Sequence, residues 1–299
     1  MNEYSFTLNN DVNIDEIATS GQCFRWKKVN SNLYIAPIGS YLLEVRKQVK
    51  NKSVVTIYSD MTDKKAKDFL LNYFNLNLDY QKIIDSIIFD PYVKVAVDKA
   101  YGLRVLNQDP LETIFSFMLS QNNTVLNVSR CIERICEKNE QIVLDKRLSY
   151  FPFPNIETLA KLTIKDYEEM KCGYRARYLN RIAETILKKK MNLERIKKLS
   201  SDKLRTKLME FDGIGEKVAD CIMLYSMRKS ELVPMDTWVQ KASIELYGLR
   251  KNCTNKEIRE FYIQRFGKYA GWAHLFIFNH ARKYSKQSKN IKDCFVNTK

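Results

Sequence analysis

Two periodicities divide the chain. Up to about residue 60, apolar and polar positions alternate, as in Tyr4-Ser5-Phe6-Thr7-Leu8 and Cys23-Phe24-Arg25-Trp26. Residues 33–36, 41–46 and 53–58 are rich in β-branched and aromatic side chains, which suit a pleated, half-buried surface. Pro37-Ile38-Gly39-Ser40 and Lys50-Asn51-Lys52 supply turn chemistry between these runs. The pattern predicts an antiparallel sheet with a short helical insertion at Asp15-Glu16-Ile17-Ala18. From Thr62, a candidate N-cap, the period becomes helical. Amphipathic stretches follow at 62–74, 80–88, 92–101, 111–119, 124–136, 164–170 and 175–191. The last third continues at 201–209, 216–226, 237–246, 255–266 and 269–280. The fold class expected is α+β: an N-terminal antiparallel β domain over 1–90, then an all-helical body over 91–299. No internal repeat or low-complexity segment interrupts it.

Hydrophobic residues at 45% and aromatics at 12% can fill a sizeable core, and 9 Gly with 6 Pro exclude a collagen-like chain. No apolar run approaches the roughly 18 residues of a membrane span. Met1-Asn2-Glu3-Tyr4-Ser5 lacks the basic start and apolar stretch of a secretory signal. The expectation is a soluble protein without a membrane partner. Seven scattered cysteines contain no C-x-x-C, which argues against a disulfide framework or zinc ribbon and for a reducing compartment. The end of the chain has no four-cysteine cluster of iron–sulfur spacing. His274 and His280 are the only histidines, so a histidine metal site is not expected. The predicted location is a bacterial cytoplasm, beside the nucleoid, or a nucleus in a eukaryote. Lys188-Lys189-Lys190 fits the solvated end of a helix better than a nuclear signal. Fifty basic against thirty-five acidic side chains leave a net charge of +15. That excess fits either a lysine-rich solvated surface or a phosphate-binding face, and only motifs decide between them.

The most informative stretch is Phe211-Asp212-Gly213-Ile214-Gly215-Glu216-Lys217-Val218-Ala219-Asp220-Cys221. Gly213 and Gly215 allow a tight turn between two helices (about 201–226). The unpaired amides opening the second helix can then receive a phosphate oxygen. Such a helix–hairpin–helix grips a DNA backbone without reading sequence; a Gly-rich corner with no ligand is the alternative. Lys217 falls in the first helical turn, where the helix dipole disfavours its charge. An uncharged lysine is a nucleophile able to form a Schiff base, whereas a solvent-facing one merely steers phosphate. Cys221, four residues on, shares its helical face, either packing near the amine or acting as a small core residue. In Val233-Pro234-Met235-Asp236-Thr237-Trp238, Asp236 is placed to cap the next helix. A carboxylate held and kept ionised by helix amides can also stabilise a developing positive charge.

These segments resemble the helix–hairpin–helix DNA glycosylase superfamily, and within it the 8-oxoguanine DNA glycosylases. Ser20-Gly21-Gln22-Cys23-Phe24-Arg25-Trp26, Cys172-Gly173-Tyr174-Arg175-Ala176-Arg177-Tyr178 and Tyr269-Ala270-Gly271-Trp272-Ala273 support the narrower likeness. Together the matches run in family order from Ser20 to Phe278. The resemblance implies a bifunctional base-excision repair enzyme, 8-oxoguanine N-glycosylase and abasic-site lyase. Its Lys217 attacks C1′ of the damaged nucleoside, and Asp236 stabilises oxocarbenium character. β-Elimination from the Schiff base then nicks the strand. Base extrusion implies a wedge, which falls on Tyr174 beside Arg175, the match to an arginine that contacts the estranged cytosine. The carbonyl of Gly21 would accept the N7 hydrogen that distinguishes 8-oxoguanine from guanine, and the base would stack between Phe278 and Cys221. No cofactor is implied, apart from a structural cation at the hairpin when DNA is bound. The partner would be double-stranded DNA carrying the lesion, and the enzyme a monomer.

Four departures stand out. His274 replaces the base-contacting glutamine, and Trp238 replaces a histidine two residues after the aspartate. Gln121-Asn122-Asn123 replaces a three-asparagine run opposite the lesion, leaving Asn122 and Asn123 as its DNA contacts. Leu126 replaces an arginine that reads cytosine, so a weaker preference for cytosine opposite the lesion is expected than in eukaryotic members. Competing readings are a related glycosylase of other base specificity and a non-catalytic helix–hairpin–helix DNA-binding module.

Overall fold

A computed structural model describes residues 1–9, 11–48, 52–144, 148–285 and 290–296. Five antiparallel strands open it: β1 (Asn2–Leu8), β2 (Lys27–Asn30), β3 (Leu33–Ile38), β4 (Tyr41–Lys47) and β5 (Ser53–Ser59). Their order in the sheet is β1-β5-β4-β3-β2. Val45, Val55 and Ile57 are fully buried, so one face of the sheet packs on the body, as alternation requires. A second pair, β6 (Ile142–Val143) and β7 (Ser149–Tyr150), is a small hairpin within the helical part.

Helices make up the rest. After α1 (Ile14–Thr19) come α2 (Asp63–Tyr73), α3 (Tyr80–Asp85), α4 (Pro91–Ala100), α5 (Pro110–Ser120) and α6 (Val125–Cys136). The middle holds α7 (Ile156–Lys161), α8 (Ile164–Glu169), α9 (Ala176–Lys188), α10 (Leu193–Ile196) and α11 (Ser201–Met209). The last group is α12 (Glu216–Ser226), α13 (Thr237–Tyr247), α14 (Asn255–Phe266), α15 (Ala270–Tyr284) and α16 (Ile291–Val296). Asp90 and Asp109 each cap a helix that begins with proline, α4 and α5, because a first-turn proline sacrifices no helical bond. Buried residues run unbroken from Thr113 to Leu119 in α5 and from Ala270 to Ile277 in α15. Helices apolar on all sides belong at the centre. One continuous core joins the sheet to the helices.

Two local expectations need correction. Cys23-Phe24-Arg25-Trp26 is not a strand. Cys23, Phe24 and Arg25 are all buried, so the segment is an irregular connection packed from every side, and β2 begins only at Lys27. Pro37 and Ile38 belong to β3, pairing with Leu42 and Tyr41, and the turn is confined to Gly39-Ser40. Thr62 does precede α2, but its side chain makes no capping bond. Lys50 and Asn51 of the other expected turn lie outside the described residues.

Candidate active site

Two helical faces and two connections converge on one cleft. From α12 come Lys217, Cys221 and Tyr225, spaced i, i+4, i+8 and therefore on one face. From α15 come His274, Phe278 and Arg282 with the same spacing. Asp236 stands at the start of α13, and Gly21 belongs to the connection between α1 and β2. All of these, with Trp238, Phe24 and Phe117, line one partly open cleft of about 200 Å³.

Local chemistry fixes each wall. Asp236 is the N-cap of α13 and accepts the Val239 amide at 2.9 Å, so its carboxylate cannot swing away without uncapping the helix. Gly21 has φ +84, a conformation that side chains resist. Its neighbour Gln22 is buried and fastens the segment to the body. The Gln22 amide donates to the Arg104 carbonyl at 2.9 Å, and its oxygen accepts the Leu106 amide at 2.8 Å. Lys217 is half-buried, its Nζ 5.9 Å from the Phe117 ring centroid, and it forms no ion pair among the described residues.

Burial dominates the electrostatics. The Asp236 carboxyl is raised above its ordinary value by burial, against the Val239 amide, Lys217, the Trp238 amide and Arg282. The expectation that helix amides keep this carboxylate ionised is thus opposed by desolvation, the larger effect. Burial pushes the Cys221 thiol up to about 12, with Lys217 opposing. His274 is driven down to about 3 by burial; the Pro234 backbone opposes the shift and Lys217 reinforces it. Neither of its ring nitrogens has a hydrogen-bond partner among the described residues. The Pro234 backbone is thus close enough to act on the ring but not aligned to bond it. The ring lies nearly parallel to Phe278, 10° between planes with centroids 6.1 Å apart.

Outside the cleft lies an exposed face. Gly213 (φ +83) packs its backbone on the Tyr178 ring, where a Cβ would stand 2.9 Å from Cγ. Gly215 begins α12 without a side-chain cap, so the first amides of that helix are open to an anion. Gln121 donates to the Gly213 carbonyl at 3.1 Å and so ties the Asn122–Asn123 loop to the hairpin. Asn122 is exposed and left-handed at φ +46. The Asn123 amide instead serves its own loop, donating to the Leu119 carbonyl and accepting from Asn127. Tyr174 is 52% exposed. Arg175 is buried, its guanidinium 4.4 Å from the Tyr174 ring centroid and bonded to the carbonyls of Gln121 and Asn122. Its present role is to hold that loop beside the tyrosine.

Behind the hairpin, Asp220 is fully buried between Arg205 at 2.8 Å and Arg259 at 3.1 Å. Burial still raises its carboxyl despite both arginines. Sequence reasoning missed this anchor, together with Phe117, Tyr225 and Arg282 in the cleft. The last two were within reach, because each continues a helical spacing already in hand, four residues beyond Cys221 and Phe278. No cluster of metal-ligating side chains occurs among the described residues, and no helix there is long and apolar enough to cross a membrane.

Known proteins resemble this chain over most of its length. Residues 5–114 match the family model for the 8-oxoguanine DNA glycosylase N-terminal domain. Residues 115–266 match that for HhH-GPD superfamily base excision DNA repair proteins. An N-glycosylase/DNA lyase of Arabidopsis thaliana is 26% identical over 87% of this chain and 74% of its own length. One from Saccharomyces cerevisiae is 26% identical over 88% and 81%. The crystal structure of Clostridium acetobutylicum 8-oxoguanine glycosylase/lyase bound to double-stranded DNA with cytosine opposite 8-oxoguanine superposes with a TM-score of 0.86. The two are 36% identical, over 94% of this chain and 96% of that one. With both family models matched in order along the chain, the chain belongs to the 8-oxoguanine DNA glycosylase family of the HhH-GPD base excision repair superfamily.

Proposed function

We propose that this protein removes 8-oxoguanine from duplex DNA and cleaves the resulting strand through a Schiff base on Lys217. The observation that carries the reading is the convergence of Lys217 and Asp236 on one cleft that also presents Gly21, Cys221, His274 and Phe278. The Lys217 amine attacks C1′ as the bond from C1′ to N9 breaks, and the base departs with its electron pair and takes up a proton. Asp236 stabilises the positive charge that develops on the sugar; holding it rigidly in a desolvated site makes that charge more effective. Loss of the amine protons and opening of the sugar ring give the C1′ imine. Removal of a proton from C2′ then expels the 3′ phosphate. Phe278 and Cys221 flank the extruded base, Gly21 accepts its N7 hydrogen, and His274 offers one donor and one acceptor nitrogen to its Watson–Crick edge.

On the outer face, the open amides around Gly213 and Gly215 take backbone phosphates, and Tyr174 fills the gap left by the base. Asn122, Asn123 and Arg175 face the opposite strand, while Trp238 borders the sugar. The N-terminal unit, to about residue 90, holds Gly21 in place. The enzyme works as a monomer without a cofactor; the only ion we assign is a structural cation at the hairpin when DNA is bound. A release panel tests the reading, with 8-oxoguanine, adenine, uracil and oxidised pyrimidines each placed opposite all four bases. Preferential release of 8-oxoguanine with strand cleavage supports it. Preferential release of another base overturns the substrate, and binding without any release overturns the enzyme.

A further inference from the structure

We propose that Arg282 is a second reader of the lesion's oxidised edge, donating a hydrogen bond to the oxygen on C8. The inference rests on the cleft being an 8-oxoguanine site. His274, Phe278 and Arg282 occupy one face of α15 at i, i+4 and i+8, spanning about 12 Å along the axis. That is the reach of a purine with a hydrogen-bonding group at either end. A base lying on the central Phe278 ring directs its Watson–Crick edge to one end and its five-membered ring to the other.

Gly21 identifies which end is which. A Cβ at Gly21 would stand 3.4 Å from Arg282 Nη1 and 3.6 Å from Phe278 Cε1. The edge that presents N7 to Gly21 therefore presents the adjacent C8 to Arg282. The guanidinium is oriented before any ligand arrives. One terminal nitrogen donates to the Thr19 carbonyl, and its carbon lies 5.4 Å from the Phe278 ring centroid. The Arg282 Nη1, the nitrogen nearest Gly21, has no hydrogen-bond partner among the described residues, where the guanidinium's bond is made by Nη2 and no carboxylate forms an ion pair with Arg282. Two carboxylates act on the guanidinium without pairing with it: Asp236, which caps α13, and Glu16, which is engaged by Lys283 at 2.6 Å. A charged donor left without a protein partner beside Gly21 is satisfied by a carbonyl oxygen placed there. Undamaged guanine carries only hydrogen at C8 and leaves the donor unpaired, so Arg282 and Gly21 would test the two ends of one chemical change.

Arg282→Leu and Arg282→Lys separate this role from simple packing. Two single-turnover rates are read for each: release of 8-oxoguanine, and cleavage at a preformed abasic site, where no base fills the cleft. Arg282→Leu is expected to slow base release about ten- to one-hundredfold, the range for a hydrogen bond from a charged group. Abasic cleavage should change by less than about threefold, and Arg282→Lys should recover part of the loss. In a Lys217→Gln background, the same Leu substitution should narrow the binding preference for 8-oxoguanine over 8-aminoguanine, whose C8 group donates. Unchanged base release, or equal loss of both activities, overturns the proposal. Failure of the unmodified enzyme to release 8-oxoguanine would instead overturn the reading of the cleft, and this inference with it.

Discussion

Replacing His274 with glutamine isolates a strongly perturbed neutral side chain in the cleft. Burial, reinforced by Lys217 and opposed by the Pro234 backbone, drives its imidazole from the usual 6.5 down to about 3. Between those two values the unfolded chain binds a proton that the folded protein refuses, so stability falls as pH falls. Each pKa unit corresponds to about 1.4 kcal/mol; at pH 4 the loss traceable to this ring is about 3 kcal/mol, and it is absent at pH 7. Glutamine does not titrate and removes the term. Urea unfolding of both proteins at pH 7 and pH 4 measures it. The unmodified protein should lose about 3 kcal/mol more than His274→Gln over that interval, since other groups, His280 included, are common to both. With only two histidines in the chain, NMR can follow each ring directly. Parallel losses in the two proteins, or a His274 resonance titrating near pH 6.5, would refute the argument.

Other outcomes follow from the same geometry. Asp220→Ala removes the buried carboxylate that Arg205 and Arg259 share and leaves Arg259 paired with the more exposed Glu216 at 3.1 Å; urea unfolding should show a loss of about 3–5 kcal/mol, and a loss below about 1 kcal/mol would mean the anchor is dispensable. Gly21→Ala forces a side chain into φ +84 and places a methyl against Arg282. It should cost about 1–2 kcal/mol of stability and sharply reduce base release, so a variant with normal release contradicts Gly21's place in the cleft. Leu126 is 61% exposed and offers no donor to an opposing cytosine. Release opposite cytosine and opposite adenine should agree within about fivefold, below the discrimination of a good bidentate contact; a steep cytosine preference removes the hypothesis.

Much of the site could be read from spacing because it is built on helices. Lys217 and Cys221, or His274 and Phe278, share a face through the 3.6-residue repeat alone. The hairpin was equally plain, since Gly213 and Gly215 stand between two apolar-periodic runs. What the chain concealed depends on contacts between distant segments. Arg282 enters the cleft because α15 packs beside the connection after α1, and its partner Thr19 is 263 residues away. Cys23-Phe24-Arg25-Trp26 alternates like a strand but buries its first three side chains in succession, which periodicity cannot distinguish from a half-buried edge. The four-residue helix α10 is too brief for a clear repeat. Arg175 was legible as a cation near the wedge, but not as the support of the loop containing Asn122.

The most direct measurement is reductive trapping with borohydride on duplex carrying 8-oxoguanine, followed by mapping of the modified peptide. A covalent protein–DNA adduct on Lys217, lost in Lys217→Gln while duplex binding persists, is the predicted result. Base release with strand cleavage but no adduct, or an adduct on a different residue, would contradict the assignment of this lysine as nucleophile.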